Sequence, residues 1–486
     1  MQNTASATAQ NSAYPFTRPC DGVQVKIQTT SKPVTPFGGL LAFLAWVKQI
    51  GLMPRISAGM PFSYSSPNAI PTAHTLLAFL LTVILGGSRF AHTDWLRFDK
   101  ALHEIIGIPR FPAKDAIRKF FHRFGQGEIQ KFWRPLWAWL VALWTPPGKG
   151  FTLDLDSTIF QREGTQEGAA KGYNPRRPGR LSHHPLLAVL AEAPFILHAW
   201  LRSGNTSSAR GITQFLQEAL ALLPANWRLR SVRADSGFFE NGLLTFLEGL
   251  FLPYIIVAKM TRQIKSKLMG ISIWRDINDT FSVGEFIGCL QGWTTPRRFV
   301  VVREQVREKT DRKAKGRRLL EVPGYTYRVW VTNSDEPAET IWRDYNLRAT
   351  MEQRIEELKN DLHADGYCTQ NFFATEAAFL GVIFAFNLLA TFQAQVTPEH
   401  GYRQPATLRA AVFIGGAILG KEGHVPVFRV SASWGGAEKH KPLIEKALDG
   451  KRLIATLLPY PHLANHRPVR GDPWNQQPIE PGGNEI

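Results

Sequence analysis

The sequence predicts an α/β protein built around a mixed sheet, with an all-α N-terminal domain, a β-rich insertion and a helical C-terminal region. Three observations point to this class. Residues 37–144 show the apolar spacing of helices, residues 149–258 alternate strand-like and helix-like runs, and residues 259–335 are rich in Thr, Val, Phe, Tyr and Trp, which is typical of β structure. A chain of 486 residues is too long for one typical core, so we expect about two to four domains.

The N-terminal part is predicted to be a flexible arm followed by helices. Residues 1–35 lack an apolar period, and the helical pattern then extends over residues 36–147. One helix, near 113–124, is basic and amphipathic and follows a Gly- and Pro-containing turn. Its cationic side carries Lys114, Arg118 and His122. This side could contact base edges or phosphates, as a recognition helix does, and an ordinary solvated face explains the pattern equally well.

Residues 149–258 are expected to form a β-β-β-α-β-α-β unit. The first three strands would pair as an antiparallel meander, and the others would join through right-handed helical crossovers. The predicted strands are 150–159, 185–191, 194–202, 228–234 and 253–258, and the predicted helices are 207–223 and 238–249. A basic loop, 171–180, separates the first two strands and contains Arg176 and Arg177. It could follow a phosphate backbone or simply be solvated.

The β-rich segment 259–335 contains a strongly basic stretch, 303–318, with eight basic and three acidic residues. Such a run is usually a solvated loop, but in a basic chain it is also a candidate clamp for nucleic acid, with Arg312 and Lys313 at its centre. Three tryptophans of this segment could stack on an extruded base, although core packing explains each of them better. They are Trp274, Trp293 and Trp330.

Two acidic motifs lie on predicted strands. The run 151–160 alternates apolar and polar residues, which puts Asp154 and Asp156 on one strand face. Asp235 follows the strand-like run 228–234 and precedes a helix, where open α/β sheets place ligand groups. A single aspartate at such a position is more often a helix cap than a catalytic group.

The third motif is a polar stripe on a predicted helix. Tyr345, Arg348, Glu352 and Lys359 stand at relative positions 0, 3, 7 and 14, which an α-helix gathers within about 60°. Glu356 falls on the same stripe and is the alternative to Glu352. The neighbouring apolar stripe is expected to face the core and comprises Leu347, Met351, Ile355, Leu358 and Leu362. A surface helix with ordinary ion pairs is the other interpretation.

Taken together, these motifs predict a metal site. Two strand aspartates and a helix glutamate could converge and bind two divalent ions. Carboxylate oxygens suit Mg²⁺. A pair of such ions activates the attacking oxygen and stabilises the leaving oxygen of an in-line displacement at phosphorus.

The motifs also resemble those of DDE transposases from bacterial insertion sequences. The pattern Tyr-x2-Arg-x3-Glu-x6-Lys from Tyr345 to Lys359 matches their helix signature, residues 155–158 look like their first acidic motif, and residues 233–238 look like their second. The order agrees, with 78 residues between the two aspartates and 116 between Asp235 and the glutamate. The resemblance extends over residues 70–395.

The resemblance implies a ribonuclease-H-like catalytic fold and metal-dependent cleavage and joining of transposon ends, with cut-and-paste transposition expected. It implies two Mg²⁺ ions, with Mn²⁺ able to substitute. The implied metal ligands are Asp156, Asp235 and Glu352, and the implied DNA-backbone contacts are Tyr345, Arg348 and Lys359. The family pattern favours Asp156 over Asp154, because a small residue and then Thr follow it.

The patterns along the chain predict the domains, and the resemblance implies the partners. The partner is double-stranded DNA, as terminal inverted repeats and target, held by a homodimer in the DNA complex. The expected domains are an arm at 1–35, a helical DNA-binding domain at 36–147, a catalytic domain at 148–258 and 336–395, the insertion at 259–335, and a C-terminal region at 396–486 with a disordered tail.

The charge agrees with a nucleic-acid partner, and the cysteine content agrees with a reducing compartment. The net charge is +17 and the sequence pI is about 9.9, which favours a polyanion, although an anionic membrane surface would attract the same charge. The three cysteines are scattered, so neither a disulfide framework nor a zinc cluster is indicated. The expected location is the bacterial cytoplasm, at the nucleoid. Residues 372–392 are apolar but are expected to form a core helix, with no membrane involved.

Two other functions fit the same residues. The first is a ribonuclease-H-like nuclease without strand transfer, and the separate helical and inserted regions argue against so simple an enzyme. The second is a catalytically inert DNA-binding protein derived from a transposase, and the ordered set of carboxylates argues against it.

Overall fold

The chain is described here by a computed structural model that covers residues 14–146, 148, 150–305 and 324–432, with the short pieces 442–443, 445–446 and 455–456. The α-helices are α1 (Leu40–Gln49), α2 (Leu52–Gly59), α3 (Thr72–Ile84), α4 (Thr93–Arg97), α5 (Lys100–Ile106), α6 (Lys114–Phe121), α7 (Gln126–Val141), α8 (Ile212–Leu220), α9 (Asn241–Gly249), α10 (Arg262–Met269), α11 (Ala338–Asn346), α12 (Ala349–Glu356), α13 (Phe372–Val396) and α14 (Pro405–Leu408).

The strands within the same ranges are β1 (Tyr14–Thr17), β2 (Gln24–Ile27), β3 (Val34–Thr35), β4 (Trp144–Thr145), β5 (Phe151–Ser157), β6 (Phe160–Gln161), β7 (Ala170–Lys171), β8 (Leu181–His183), β9 (Leu186–Leu190), β10 (Phe195–Trp200), β11 (Leu229–Ala234), β12 (Tyr254–Val257), β13 (Arg275–Asp276), β14 (Phe281–Gly288), β15 (Arg297–Gln305), β16 (Tyr325–Thr332), β17 (Ala417–Glu422), β18 (Val425–Val430) and β19 (Ala455–Thr456).

A nine-stranded mixed sheet organises the structure, in the order β10-β9-β5-β11-β12-β16-β15-β14-β13. β10, β9 and β5 are antiparallel neighbours, and β11 runs parallel to both β5 and β12. β9 is buried along its whole length, as expected for a strand covered on both faces. The predicted α/β class with a mixed sheet is confirmed, and each strand predicted within 149–258 has a counterpart in the structure.

The described part of the β-rich segment 259–335 extends this same sheet. β16 pairs with β12 in antiparallel register, Ile255 opposite Thr332, and β15, β14 and β13 follow outward. The segment also includes the helix α10. The physical reason is that β12 would otherwise present an unpaired edge, whose N–H and C=O groups β16 satisfies.

The helix α13 joins the N-terminal helices to the sheet. It packs against α3, α6, α7 and β10. Gly381 allows α3 to approach closely, because a Cβ there would come within 2.8 Å of the Phe79 ring. Asn387, fully buried, accepts from Ile196 N–H at 2.9 Å and donates to Ile196 O at 2.8 Å, at a register irregularity of β10. These bonds fix the helix to the edge strand.

α13 is also, within the described ranges, the one helix long and apolar enough to cross a membrane. Its most apolar window is 83% buried inside the protein. The core packing of α13 agrees with the expectation of a core helix.

The two ends of the chain differ from the sequence expectation. Residues 14–27 form an exposed β1–β2 hairpin, and β3 pairs with β17 of a β17–β18 hairpin. Residues 14–35 of the expected arm thus contain short paired strands, and the described C-terminal region contains strands as well as helix. These strands are held by backbone pairing and not by apolar burial, so no apolar period marks β1. Residues 1–13 and the predicted tail from Pro459 lie outside the described residues.

Candidate active site

Asp156 lies at the carboxyl end of β5, at the edge of the core. Its side chain is 14% exposed; Oδ1 accepts from Ser157 N–H at 2.7 Å, and Oδ2 lies 3.0 Å from Arg348 Nη2. Burial raises the pKa of Asp156 to about 6. Arg348 opposes this rise, and the carboxylates of Asp235 and Glu352 add to it. The other two predicted ligands are therefore close enough to repel a charge on Asp156.

Strand register explains why Asp235 lies beside Asp156. β11 pairs in parallel with β5, with Arg233 opposite Asp154 and Ala234 opposite Leu155. The next residue on each strand is an aspartate, and neighbouring strands are about 4.8 Å apart. Asp235 also caps the short 3-10 turn Ser236–Phe238, since its Oδ1 accepts from Gly237 N–H at 2.8 Å. Capping and ligation are thus compatible at this residue.

Asp154 forms an ion pair away from the two candidate ligands Asp156 and Asp235. It is fully buried and forms a two-pronged ion pair with Arg233, whose Nε and Nη2 lie 2.6 and 2.8 Å from its carboxylate oxygens. Arg233 also donates to the backbone carbonyl of Asp344. The pair joins β5, β11 and α11 beneath the candidate site. Sequence reasoning missed Arg233, although its position two residues before Asp235 on the same strand was a usable signal.

The predicted single helix of the third motif is broken into two. α11 ends at Asn346 and α12 begins at Ala349, joined by a tightened turn in which Arg348 N–H donates to Tyr345 O at 2.9 Å. This turn changes the phase of the helix. Leu347, expected in the core, is 54% exposed, which corrects that prediction. Its stripe partners Met351, Leu358 and Leu362 are buried, and Ile355 is half-buried.

Arg348 points into the protein and not into solvent. It is 6% exposed and donates from Nη2 to Leu155 O at 2.9 Å, in addition to its ion pair with Asp156. Burial would lower the pKa of Arg348, but the surrounding negative groups, Asp156 foremost, raise it. Tyr345 is also buried, packs on Trp330 at 5.5 Å between ring centroids, and has a pKa raised to about 12 by burial.

The end of the polar stripe lies in a π-turn, Glu357–Asp361, that follows α12. Glu352 and Glu356 are both exposed on α12. Lys359 is half-buried, with Nζ 5.9 Å from the Phe160 ring centroid. Burial lowers the pKa of Lys359, and the positive charge of Arg176 lowers it further. Asp156 is among the acids whose negative charge raises it. Lys359 is thus a neighbour of both Asp156 and the basic loop.

The π-turn is supported by residues of the C-terminal region, for which the sequence predicts no role. Buried Glu357 accepts at Oε2 from Arg354 Nη1 at 2.8 Å and from Tyr402 OH at 2.7 Å. Burial raises the pKa of Glu357 to about 7. Arg409 donates to Asp361 O at 2.9 Å and to Ile84 O at 2.8 Å, which ties the turn to the end of α3. No local sequence signal marks these distant contacts.

The remaining predicted DNA contacts that fall within the described residues are surface residues. On α6, Lys114 and Arg118 are exposed, while Ile117, Phe120 and Phe121 are buried. Arg176 and Arg177 are exposed in the loop 171–180, and Arg177 Nη1 donates to Gln161 Oε1 at 3.2 Å. Arg312 and Lys313 lie outside the described residues.

The three tryptophans of the β-rich segment are engaged within the protein. Trp330 is fully buried. The guanidinium of Arg303 lies 4.4 Å from the Trp274 ring centroid, and that of Arg297 lies 4.4 Å from the Trp293 ring centroid. Packing and cation–π contacts account for all three rings in this structure.

The donor set at the site fits a hard divalent cation. All three candidate ligands are carboxylates. Burial first, and then repulsion from Asp235 and Glu352, raise the pKa of Asp156, and a bound cation would favour its charged form. As placed, no three Asp, Glu, His or Cys side chains of the described ranges form a ready coordination cluster. Arg348 occupies part of the space beside Asp156 instead.

The fold and the site define a basic α/β protein with neighbouring carboxylates at adjoining strand ends. The chain belongs to the transposase DDE domain group 1 family, whose profile matches residues 17–447. A comparison with curated proteins gave no match. A similar solved structure is a piggyBac transposase synaptic complex with hairpin DNA, with 11% sequence identity, a TM-score of 0.44, and coverage of 79% of this chain and 82% of that chain.

Proposed function

We propose that this transposase cleaves DNA at transposon ends and transfers the exposed 3′ hydroxyl into target DNA, by a cut-and-paste route. The observation that carries the proposal is the strand register that brings Asp156 and Asp235 to adjoining ends of β5 and β11, and Glu352 of α12 is among the charges that act on Asp156. A chain-wide family match and a net charge of +17 support a DNA substrate.

The catalytic domain is proposed to be ribonuclease-H-like. The support is the strand order β10-β9-β5-β11-β12, with three antiparallel strands followed by two parallel ones, and two candidate ligands at the carboxyl ends of the central pair. In this arrangement Asp154 with Arg233 forms a structural ion pair, and Asp156 is the metal-binding member of the strand.

Asp156, Asp235 and Glu352 would together hold Mg²⁺ or Mn²⁺. The bound ions would activate the attacking oxygen and stabilise charge on the leaving oxygen. Arg348 orients the Asp156 carboxylate through its 3.0 Å ion pair and, once a cation shares that carboxylate, supplies positive charge near the scissile phosphate. Lys359 provides a second cation on the same side. Tyr345 packs on Trp330 and lies near the charges of Arg348 and Asp156, so we assign it a supporting role behind them.

The DNA is proposed to cross the exposed cations. Arg176 and Arg177 lie in a loop near Lys359, and Lys114 and Arg118 form an exposed face of α6. Arg312 and Lys313 would clamp a strand. We further propose that a homodimer holds the two terminal repeats and that the protein acts at the bacterial nucleoid.

The test is an assay of purified protein with Mg²⁺ and labelled DNA carrying the inverted repeats that flank the gene. Wild type should give end cleavage and joined products. The variants Asp156→Ala, Asp235→Ala and Glu352→Ala should bind this DNA and yield neither product. Nicking without joining would favour a nuclease, and binding by wild type without any chemistry would favour an inert DNA-binding protein.

A further inference from the structure

The loop 203–211, after β10, touches both aspartate motifs although it belongs to neither. Ser208 Oγ shares a 2.8 Å hydrogen bond with Ser157 Oγ, and Ser157 directly follows Asp156. Ser208 also packs against Gly237, since a Cβ added there would meet Ser208 Oγ at 2.8 Å and Asp235 Oδ1 at 2.9 Å. One side chain therefore lies between the two strand ends that carry the candidate ligands.

Each of the two residues that Ser208 contacts donates a backbone hydrogen bond to one of the carboxylates. Ser157 N–H donates to Asp156 Oδ1 at 2.7 Å, and Gly237 N–H donates to Asp235 Oδ1 at 2.8 Å. A displacement of Ser208 would move the backbone groups that orient both acids. Glycine at 237 is required for this contact, because a larger residue would displace either Ser208 or the Asp235 carboxylate.

Arg202 holds this loop in place through hydrogen bonds to its backbone. Its Nη1 donates to three backbone carbonyls of the loop, those of Ser207, Ser208 and Arg210, at 3.1, 3.1 and 3.2 Å. Its Nε donates to His184 O at 3.0 Å, and its own carbonyl accepts from His184 N–H at 2.9 Å. The guanidinium therefore fixes the backbone of a loop that is rich in Gly and Ser.

Arg202 is buried in an environment that disfavours its positive charge, which is unusual for a residue with a purely structural role. The side chain is 7% exposed, its described hydrogen bonds all go to backbone carbonyls, and Nη2 has no partner among the described residues. Burial lowers its pKa to about 10. Burying a cation that is paired with carbonyls and not with a carboxylate lowers the free energy of unfolding. Residues that lower stability in this way concentrate at functional sites.

We infer that Arg202 and Ser208 are positioning residues that set the distance between Asp156 and Asp235 for metal binding. This inference rests on the proposed function. Catalytic groups must be held within about 0.5 Å of their productive geometry, and a misplacement of about 1 Å can reduce the rate about 100-fold. The loop supplies this precision at the strand ends, beyond the Asp154–Arg233 ion pair, where the bonds to Ser157 N–H and Gly237 N–H each stay within one motif.

The experiment compares Ser208→Ala with Ser207→Ala. Ser208→Ala removes only the hydroxyl that bonds Ser157, while Ser207 is an exposed neighbour in the same loop and serves as the matched control. The Ser208 variant should bind terminal-repeat DNA like wild type but cleave it about 10- to 100-fold more slowly, with a higher Mn²⁺ concentration needed for half-maximal rate. The control should match wild type in both.

A second readout does not depend on cleavage. In the absence of DNA, Mn²⁺ should raise the melting temperature of wild type, and this increase should shrink in Ser208→Ala and in Arg202→Met. Arg202→Lys should recover part of it, since lysine keeps the charge but not the forked geometry. Equal Mn²⁺ responses in wild type and Ser208→Ala, with equal cleavage rates, would overturn the inference.

The outcomes separate the two proposals. Cleavage or Mn²⁺ stabilisation that persists in Asp156→Ala would overturn the proposed function itself. Activity that disappears in Asp156→Ala but is unchanged in Ser208→Ala would overturn only the positioning role. If Arg202→Met does not fold, Ser208→Ala alone decides, because it deletes a single half-buried hydroxyl.

Discussion

Two aspartates on the same strand should respond to neutralisation with opposite changes in stability. Asp156 is buried beside other carboxylates, and its pKa is raised from 3.8 to about 6. Its charged form is therefore disfavoured by folding. The raised pKa is the net result of burial, which disfavours the charge, and of the ion pair with Arg348, which only partly offsets it. At about 1.36 kcal/mol per pKa unit, folding disfavours the charged form of Asp156 by about 3 kcal/mol at neutral and higher pH. Asp156→Asn, which resembles the protonated acid, should therefore stabilise the metal-free protein by up to about 3 kcal/mol at pH 8, even though it weakens the bond to Arg348.

The sign follows from proton linkage. A carboxyl group whose pKa is raised by folding binds protons more readily in the folded state, so the wild type is relatively more stable below the folded pKa and loses that stability as pH rises. The advantage of Asp156→Asn should therefore be small near pH 4, grow between about pH 4 and 6, and level off above that range.

Asp154→Asn is the matched contrast. Asp154 is fully buried and holds Arg233 through bonds of 2.6 and 2.8 Å. Removing one partner of a buried ion pair typically costs about 3–5 kcal/mol. Urea unfolding of both variants and wild type from pH 4 to pH 8, without divalent ions, measures the difference. A destabilised Asp156→Asn protein at pH 8, or an unchanged Asp154→Asn protein, would refute the reasoning.

Three further outcomes are expected. Glu352→Ala should abolish end cleavage while Glu356→Ala, on the same exposed helix, retains it, and a cleavage assay that gave the reverse would transfer the ligand role to Glu356. The double variant Lys114→Ala with Arg118→Ala should weaken DNA binding. In a binding titration, the slope of log affinity against log salt concentration should fall by about one for each of the two residues that contacts a phosphate. An unchanged slope would show that these residues form an ordinary solvated face of α6. Tyr402→Phe should destabilise the protein by about 1–2 kcal/mol and slow cleavage, because Glu357 loses a 2.7 Å bond in the turn that carries Lys359; unchanged unfolding and cleavage would contradict this.

Much of the fold followed from local patterns. The strands within 149–258 were predictable because their alternating or continuous apolar runs are bounded by Gly and Pro. The helical crossover before the strand 228–234 was predictable, but the parallel pairing of this strand with the one that carries Asp156 was not, because it depends on long-range register. The addition of 259–335 to the same sheet was not predictable, since that pairing depends on long-range register and not on local composition.

The candidate site was predictable in its acids and not in its supports. The carboxylates lie in motifs whose spacing along the chain is visible. The exposure of Leu347 and the inward direction of Arg348 depend on one tightened turn, which a uniform helical period cannot show. Arg202 and Tyr402 act through backbone carbonyls and a buried glutamate that are distant in sequence, so no motif marks them.

The central claim is that the carboxylates of Asp156, Asp235 and Glu352 bind one pair of divalent ions. Anomalous diffraction from crystals of the protein grown with Mn²⁺ and a short terminal-repeat duplex measures this directly. We predict two Mn²⁺ peaks about 3.5–4 Å apart, with all three carboxylates in contact and Arg348 withdrawn from at least one oxygen of Asp156. Mn²⁺ bound at other residues, or bound DNA with the three acids apart and metal-free, would contradict the claim.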